Sequence, residues 1–280
     1  MRQHTINVNG SLLSLYPPVV MGIINLTPDS FYAGSRVNDE KTLRNRVRQI
    51  ADEGGSIIDI GAYSSRPDAR DVNQEEEMRR LRDGLKIIRD TECNLPISVD
   101  TFRADVARMC VEEYGVSIIN DISAGQLDKN MFQTVARLQV PYIMMHMRGT
   151  PQTMQQQTSY RDLVAEMFLY FSIRINQLHE LGVNDIIIDP GFGFAKTQEQ
   201  NYELLSRLED FQELNMPILV GISRKSMIYN LLDTTPTEAL NGTTVVNTIA
   251  LMKGASILRV HDVRPCVEAV TIFEKTNTTL

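Results

Sequence analysis

The sequence has few cysteines and no long apolar run. Its three cysteines, Cys93, Cys110 and Cys266, are too scattered for a disulfide framework or a zinc site, so reduced and partly buried thiols are expected. No apolar stretch approaches the roughly 18 residues that cross a bilayer. The N-terminus also lacks the basic and then apolar pattern of a signal peptide. These absences predict a cytoplasmic protein without a membrane partner.

Positive charge is also in short supply. The 280 residues contain 28 Lys plus Arg against 35 Asp plus Glu, a formal net charge of −7. This balance argues against nucleic acid as a main partner, although a local arginine cluster would still bind an anionic substrate. The 42% of hydrophobic residues excludes a wholly disordered chain. No Ser/His/Asp arrangement is evident, which argues against acyl transfer by a nucleophilic serine.

Short apolar runs rich in β-branched residues alternate with longer amphipathic stretches. Runs that are apolar on both faces are typical of strands in a buried parallel sheet. They occupy residues 19–25, 56–61, 96–100, 116–121, 140–146, 185–189, 217–221 and 255–261. The intervening stretches have helical spacing, as in Leu43, Val47, Ile50 and Ala51. Eight such units predict a single α/β fold, a (β/α)8 TIM barrel over residues 18–280, preceded by a hairpin in residues 1–17. A doubly wound open sheet is the alternative, since periodicity does not show closure.

Each of the eight runs ends in, or leads into, polar side chains. In a barrel, all of these positions lie at the C-terminal rim, where active sites form. Burying so many polar groups together is costly unless a ligand satisfies them. The polar residues in question are Asn25, Asp59, Ser64, Ser65, Arg66, Asp100, Asn120, Asp121, His146, Arg148, Asp189, Ser223, Arg224, Lys225, Ser226, Arg259 and His261.

The chemistry of this set predicts an anion site beside a flat ring. Arginine, lysine and histidine at the rim suit phosphate or diphosphate. Asn25 offers the kind of oxygen that Mg²⁺ prefers. Asp100, Asn120 and Asp189 supply carboxylates and an amide for the N–H and amino groups of a heterocycle.

Some of these residues have plainer interpretations. Asp121 and Ser123 are read as caps of the following helix. His146 is equally consistent with a satisfied structural histidine and with a ligand. Lys225 taken alone is consistent with a solvated lysine at a helix start, although the helix N-terminus after Ser223 also suits an anion.

Eight strings in the chain resemble the dihydropteroate synthase family, in that family's order. They are MGIINLTPDSF, DIGAYSSRPDA, SVDTFRADVA, IINDISAG, MHMRGTPQTMQ, DPGFGFAK, VGISRKSM and LRVHDV. The resemblance runs from Pro18 to the last predicted helix. It implies a homodimeric barrel that joins 6-hydroxymethyl-7,8-dihydropterin diphosphate to p-aminobenzoate in folate biosynthesis. The products are 7,8-dihydropteroate and pyrophosphate, Mg²⁺ assists, and sulfonamides inhibit.

The resemblance also implies roles for individual residues. The pterin positions are Asp100, Asn120, Met145, Asp189, Lys225 and Arg259. The diphosphate positions are Asn25, Ser65, Arg66, Arg259 and His261, with Asn25 as the metal ligand. The p-aminobenzoate positions are Ser65, Pro67, Phe194, Lys225 and Ser226. The catalytic set is Asp100, Asp189, Lys225, Arg259 and His261. Two mobile loops match residues 29–36 and 64–70.

The chain departs from the family's usual pattern at four positions. The second loop carries Tyr63, Ser65 and Asp68 where the family usually has Glu, Thr and Gly, and Ala195 stands where Gly is commoner. None of these departures touches the pterin positions, so they bear on loop conformation and sulfonamide sensitivity.

Many charged residues could stabilise a leaving diphosphate, and no residue is an obvious covalent nucleophile. This combination predicts a dissociative substitution at the pterin methylene carbon. Two rival functions remain open. One is a pterin-binding methyltransferase that uses methyltetrahydrofolate and a corrinoid partner, for which Arg66 and the 223–226 turn have no use. The other is an inactive pterin- or diphosphate-binding protein.

Overall fold

All eight predicted runs form strands, and they lie in one parallel sheet. The computed structural model describes residues 3–26, 36–63 and 72–277, and within them a separate antiparallel hairpin joins β1 (Thr5–Val8) to β2 (Ser11–Ser14). The strands of the larger sheet are β3 (Val19–Asn25), β4 (Ile57–Gly61), β5 (Ile97–Asp100), β6 (Ile118–Asp121), β7 (Tyr142–Met145), β8 (Ile186–Asp189), β9 (Leu219–Val220) and β10 (Ile257–Val260).

The strand order closes the sheet into a barrel. Neighbouring strands run in the order β8-β7-β6-β5-β4-β3-β10-β9, and every pair is parallel. The two outer strands meet where Ile188 pairs with Ile218, and the Ile188 amide donates to the Pro217 carbonyl at 3.0 Å. The barrel prediction is therefore confirmed, and the open-sheet alternative is wrong because the sheet has no free edge at this joint.

Helices follow the strands and cover the outside of the barrel. Their bounds are α1 (Arg36–Asp52), α2 (Gln74–Arg89), α3 (Ala104–Tyr114), α4 (Met131–Leu138), α5 (Leu163–Glu180), α6 (Gln198–Ser206), α7 (Ser226–Tyr229), α8 (Leu240–Met252) and α9 (Val263–Asn277). Their apolar stripes pack on the outward faces of the strands, as the spacing predicts. Ala51 is an exception, because it is exposed at the end of α1.

The hairpin closes the barrel at the end opposite to the predicted site. Ile6, Val8 and Leu15 pack against inward-facing residues near the start of the strands, including Met21 and Ile57. The hairpin therefore lies away from the predicted site. Among the described residues, none of the helices combines the length and the apolarity that crossing a membrane requires.

Candidate active site

The site is the second inward-facing layer of the barrel. Side chains alternate between the two faces of a strand, so a residue two positions after an inward apolar residue also points inward. Ile57, Ile118, Ile187 and Ile257 belong to the apolar layer at the bottom. The corresponding upper positions are Asp59, Asn120, Asp189 and Arg259, joined by Asp100 at the end of β5 and Met145 at the end of β7.

Asp59 connects two of the predicted pterin residues. Its carboxylate is fully buried, accepts from Arg259 Nε at 2.6 Å and accepts from Asn120 Nδ2 at 3.2 Å. Arg259 Nη2 also donates to Asp100 Oδ2 at 2.8 Å. Asp59 is one of the polar residues in the eight runs, but no role in the site is predicted for it from the sequence. Its position two residues after Ile57, on the inward face of β4, is the signal that would have found it.

The charges of this layer influence one another. Burial lowers the pKa of Arg259, but the nearby carboxylates of Asp59 and Asp100 outweigh it, so the net shift is upward and the guanidinium stays charged. Burial raises the pKa of Asp100, against the opposing charge of Arg259. Burial also raises the pKa of Asp189, and Lys225 opposes that shift. Burial lowers the pKa of Lys225 to about 8, opposed by Asp189.

Lys225 and Phe194 meet at the mouth of the barrel. Lys225 Nζ lies 4.7 Å from the centre of the Phe194 ring, which is a cation–π distance. The ammonium also donates to the Phe192 carbonyl. Ser226 begins α7 and is exposed beside them. The structure thus brings together three of the residues predicted for p-aminobenzoate and pterin.

His261, in the turn after β10, lies beside the turn after β9 that carries Lys225 and Ser226. Ser223 Oγ lies 3.2 Å from the His261 amide nitrogen and 3.3 Å from its Nδ1. Arg224 pairs through two bonds with Asp262, at 2.7 and 3.0 Å, and adopts a left-handed backbone with φ of 54°. The ion pair therefore connects the turn after β9 to the turn after β10.

The remaining predicted residues lie at the rim or outside the described chain. Asn25 ends β3 and is exposed. Ser65, Arg66 and Pro67, together with residues 29–35, lie outside the described residues, so their predicted roles stay predictions. Tyr63, the last described residue before that segment, stacks edge-on against Phe102 with ring centres 5.1 Å apart. Its hydroxyl accepts from Gln152 Nε2 at 3.1 Å.

An apolar wall completes the pocket. Met145 belongs to a small cluster with Ile122, Met147, Met154 and Ala195. The ring of Phe194 packs against this cluster. Such an apolar surface next to a few convergent polar groups is typical of a site for a flat ligand.

Two further residues in the polar set are structural. Asp121 points away from the pocket, where its carboxylate accepts from Tyr142 Oη at 2.7 Å and from the amides of Ser123 and Gly125. The prediction that Asp121 caps the following helix is therefore wrong, because α4 begins only at Met131 and the carboxylate instead holds the turn directly after β6. His146 is 2% exposed, and its Nδ1 lies 3.1 Å from Lys196 Nζ, so it lies beneath the pocket.

The fold and the site define a (β/α)8 barrel protein whose pocket suits a flat ring rich in hydrogen-bond donors. The cationic side chains beside that pocket suit an anion. The family described as "Pterin binding enzyme" matches residues 21–261. The chain therefore belongs to the pterin binding enzyme family.

Similar sequences and solved structures carry the name dihydropteroate synthase. A dihydropteroate synthase of Synechocystis is 43% identical over 258 residues, which cover 91% of this chain and 89% of the relative. The crystal structure of the Yersinia pestis dihydropteroate synthase with a sulfonamide drug complex superposes with a TM-score of 0.91 at 35% identity, covering 99% of this chain and 100% of that chain. The Xanthomonas albilineans dihydropteroate synthase with 4-aminobenzoic acid gives a TM-score of 0.88 at 36% identity, with 99% of each chain covered.

Proposed function

We propose that the protein catalyses the dihydropteroate synthase reaction. It transfers the pterin methylene group of 6-hydroxymethyl-7,8-dihydropterin diphosphate to the amine of p-aminobenzoate, forming 7,8-dihydropteroate and releasing pyrophosphate. The observation that carries this proposal is the inward-facing layer formed by the half-buried Asp100 and the buried Asn120 and Asp189, with Lys225 and the Phe194 ring above it. Relatives that carry this name at about 40% identity support the same reaction.

The polar layer suits the pterin. Asp100 and Asp189 offer carboxylate oxygens to the ring N–H and amino groups, which are donors. Asn120 donates its amide N–H to Asp59, and its amide oxygen would serve as an acceptor for a ligand N–H group. Met145 supplies apolar contact for the ring face. Lys225 places a positive charge against the ring carbonyl.

The second group of residues suits the diphosphate. Arg259 and His261 lie on β10 and in the turn after it, next to the Ser223–Ser226 turn. Ser65 and Arg66 add a hydroxyl and a guanidinium to this set on the basis of the family resemblance. Positive groups placed where charge develops on the leaving anion stabilise the transition state.

The donor chemistry also fits Mg²⁺. Asn25 presents an amide oxygen at the exposed end of β3, and Mg²⁺ takes one or two protein oxygens while keeping water and substrate phosphates as its other ligands. Within the described residues, His, Cys, Asp and Glu side chains do not form a group of three or more that would hold a metal ion. Asn25 and the substrate's own diphosphate would therefore hold the ion, which neutralises charge on the departing oxygens.

We propose a dissociative substitution. The C–O bond to the diphosphate breaks ahead of C–N bond formation, and the carboxylates of Asp100 and Asp189 stabilise the positive pterin. The arylamine of p-aminobenzoate is neutral at pH 7, attacks the methylene carbon and then loses a proton, so a strong base is unnecessary. A stable covalent adduct between pterin and protein, detected by mass spectrometry, would contradict this scheme.

The deciding experiment measures pyrophosphate release with the pterin diphosphate and Mg²⁺, with and without p-aminobenzoate. Release that increases with p-aminobenzoate, together with dihydropteroate on chromatography, is the expected result. The folded Lys225→Ala variant is the matched control and should lose turnover. No release from folded protein that still binds the pterin would favour the methyltransferase or the inactive binding protein.

We also propose that the protein forms a homodimer through α8 and α9. Val245, Met252 and Ile272 on these helices are 51%, 74% and 67% exposed. Met252 and Ile272 also border a groove of about 1020 Å³. Apolar side chains grouped in this way commonly mark an interface. Sedimentation analysis should show a dimer for the wild type and a monomer for Met252→Glu, while a monomeric wild type would refute the proposal.

A further inference from the structure

The turn between β8 and α6 is held by side chains along its whole length. The five carbonyl groups from Gly191 to Ala195 each accept a hydrogen bond from a side chain. The donors are Lys196 for Gly191 and Phe194, Lys225 for Phe192, Gln155 for Gly193 and Tyr160 for Ala195. A turn with so many side-chain bonds is held in one conformation, which places the Phe194 ring.

Lys196 makes the most demanding of these contacts. The residue is 3% exposed, and its ammonium lies 3.0 Å from the Gly191 carbonyl, 3.0 Å from the Phe194 carbonyl and 3.1 Å from His146 Nδ1. An ammonium has three donors, and these three acceptors satisfy all of them. Among the described residues, no carboxylate lies within ion-pair distance of this nitrogen. The buried charge is therefore satisfied by neutral dipoles, an arrangement that a simple core-filling role does not need.

His146 is the fixed side of this arrangement. Burial and the charge of Lys196 hold the pKa of His146 well below its usual value, so the ring stays neutral and its Nδ1 accepts from the ammonium. The His146 amide also donates to the Asp189 carbonyl at 2.9 Å. Gly191 has φ of +70° and approaches so closely that a Cβ there would lie 2.2 Å from the His146 carbonyl oxygen. The end of β7 thus supports the turn through both backbone and side chain.

The turn carries two groups that face the pocket. The centre of the Phe194 ring lies 4.7 Å from Lys225 Nζ, and the Gly191 amide donates to Asp189 Oδ1 at 2.7 Å. Asp189 is held by its own strand as well as by this amide, whereas the backbone of Phe194 belongs to the turn alone and only its ring packs against the Met145 cluster. A change at Lys196 should therefore move Phe194 more than Asp189.

We propose that Lys196, supported by His146, is a positioning residue for p-aminobenzoate. It acts from below the turn by holding the Gly191 and Phe194 carbonyls, so that the Phe194 ring and Lys225 form the binding surface for the second substrate. This inference rests on the proposed function, which names that substrate.

The test compares Lys196→Met with Tyr160→Phe. The first variant keeps the length of the side chain but removes all three hydrogen bonds, and the second removes a single bond to the same turn. We expect Lys196→Met to raise the KM for p-aminobenzoate about tenfold, since small displacements of positioning groups are costly. Its dissociation constant for the pterin diphosphate, measured by calorimetry without p-aminobenzoate, should change less than about threefold. Tyr160→Phe should change both constants less than about threefold.

Equal weakening of both substrates, or an unchanged KM for p-aminobenzoate, would overturn the proposal. Lys196→Gln, which keeps a donor for one carbonyl, should fall between wild type and Lys196→Met. If neither Lys196 variant folds, the proposal is also overturned, because Lys196 would then be required for the barrel as a whole.

A crystal structure of Lys196→Met gives a readout that does not depend on activity. The Phe194 ring should move away from Lys225 while Asp189 stays in place, and an unmoved ring would contradict the inference. A wild-type protein without turnover would refute the proposed function, while this displacement would still decide the structural part of the inference.

Discussion

Arg259 Nε donates to the carboxylate of Asp59 across 2.6 Å, although 200 positions separate the two residues along the chain. The pair joins β10 to β4, which flank β3 in the barrel. Asp59 is fully buried and Arg259 is 20% exposed, so solvent screens their attraction only weakly. The same carboxylate accepts from Asn120. Asp59, for which no site role is predicted, therefore orients two of the predicted pterin residues.

Replacing Asp59 with asparagine should weaken pterin binding. The change removes the buried charge that pairs with Arg259 and places an amide against two donors, so both Arg259 and Asn120 lose their orientation. We expect the dissociation constant for the pterin diphosphate to rise by about tenfold to a hundredfold, as measured by calorimetry.

Asp121→Asn is the matched control for this experiment. Asp121 is an equally buried carboxylate, but it faces Tyr142 outside the pocket. This variant should lose about 1–3 kcal/mol of unfolding free energy while keeping its pterin affinity. If Asp59→Asn binds the pterin as tightly as the wild type, Asp59 does not orient the site.

The ion pair of Arg224 and Asp262 should couple the turn after β9 to the turn after β10. Both side chains are less than one quarter exposed, and the pair is bidentate, which is the favourable geometry. In a double-mutant cycle with Arg224→Gln and Asp262→Asn, we expect an interaction energy of about 0.5–1.5 kcal/mol in urea unfolding. The single variants should also bind pyrophosphate more weakly. Additive single-variant effects would show that the two turns are independent.

Two helix ends provide a pair of opposite stability predictions. Gly115 ends α3 with φ of 69° and has open space around its Cα, whereas Gln139 ends α4 with φ of 53°. A side chain in the left-handed region costs about 1 kcal/mol, so Gly115→Ala should destabilise the protein by about that amount. Gln139→Gly should stabilise it by about 0.5 kcal/mol, since its exposed side chain contributes little packing. Thermal unfolding measures both, and equal signs for the two variants would contradict the argument.

Lys196 predicts a dependence of stability on pH. Burial lowers the pKa of Lys196 from 10.5 to about 7 in the folded protein, while the unfolded chain keeps the ordinary value. Between these values the unfolded chain binds a proton that the folded protein has lost, so the unfolding free energy rises with pH. The wild type should therefore gain on the order of 1 kcal/mol over Lys196→Met between about pH 7 and pH 9. Urea unfolding across this range measures the difference, and a constant difference would refute the lowered pKa.

The structure shows the contacts of two residues that depart from the family pattern. Ala195, where glycine is commoner, has φ of 50° and a fully buried methyl group in the Met145 cluster. The backbone needs a conformation that suits glycine, and packing against the methyl group offsets part of that cost. Tyr63, in place of glutamate, exchanges a charge for stacking on Phe102. The sequence alone located both departures but did not show either contact.

Local pattern was enough to predict the strands, the helices and the polar rim. Runs such as residues 19–25 are apolar on both faces because helices cover one side and the barrel interior the other. The polar residue that ends each run then falls at the C-terminal end of the barrel, whatever the order of the strands. The repeated pattern of strand and helix was therefore enough to place Asp100, Asn120, Asp189 and Arg259 at one end.

The partners within the site were decided by the tertiary structure. Asp59 meets Arg259 only because β4 and β10 lie on either side of β3, and Lys196 meets His146 only because β7 lies beside β8. The position of the hairpin beneath the barrel depends on the same closure. Periodicity along a chain reports which face of each element is buried, whereas a contact between distant residues depends on strand order and register, which arise only when the whole sheet closes.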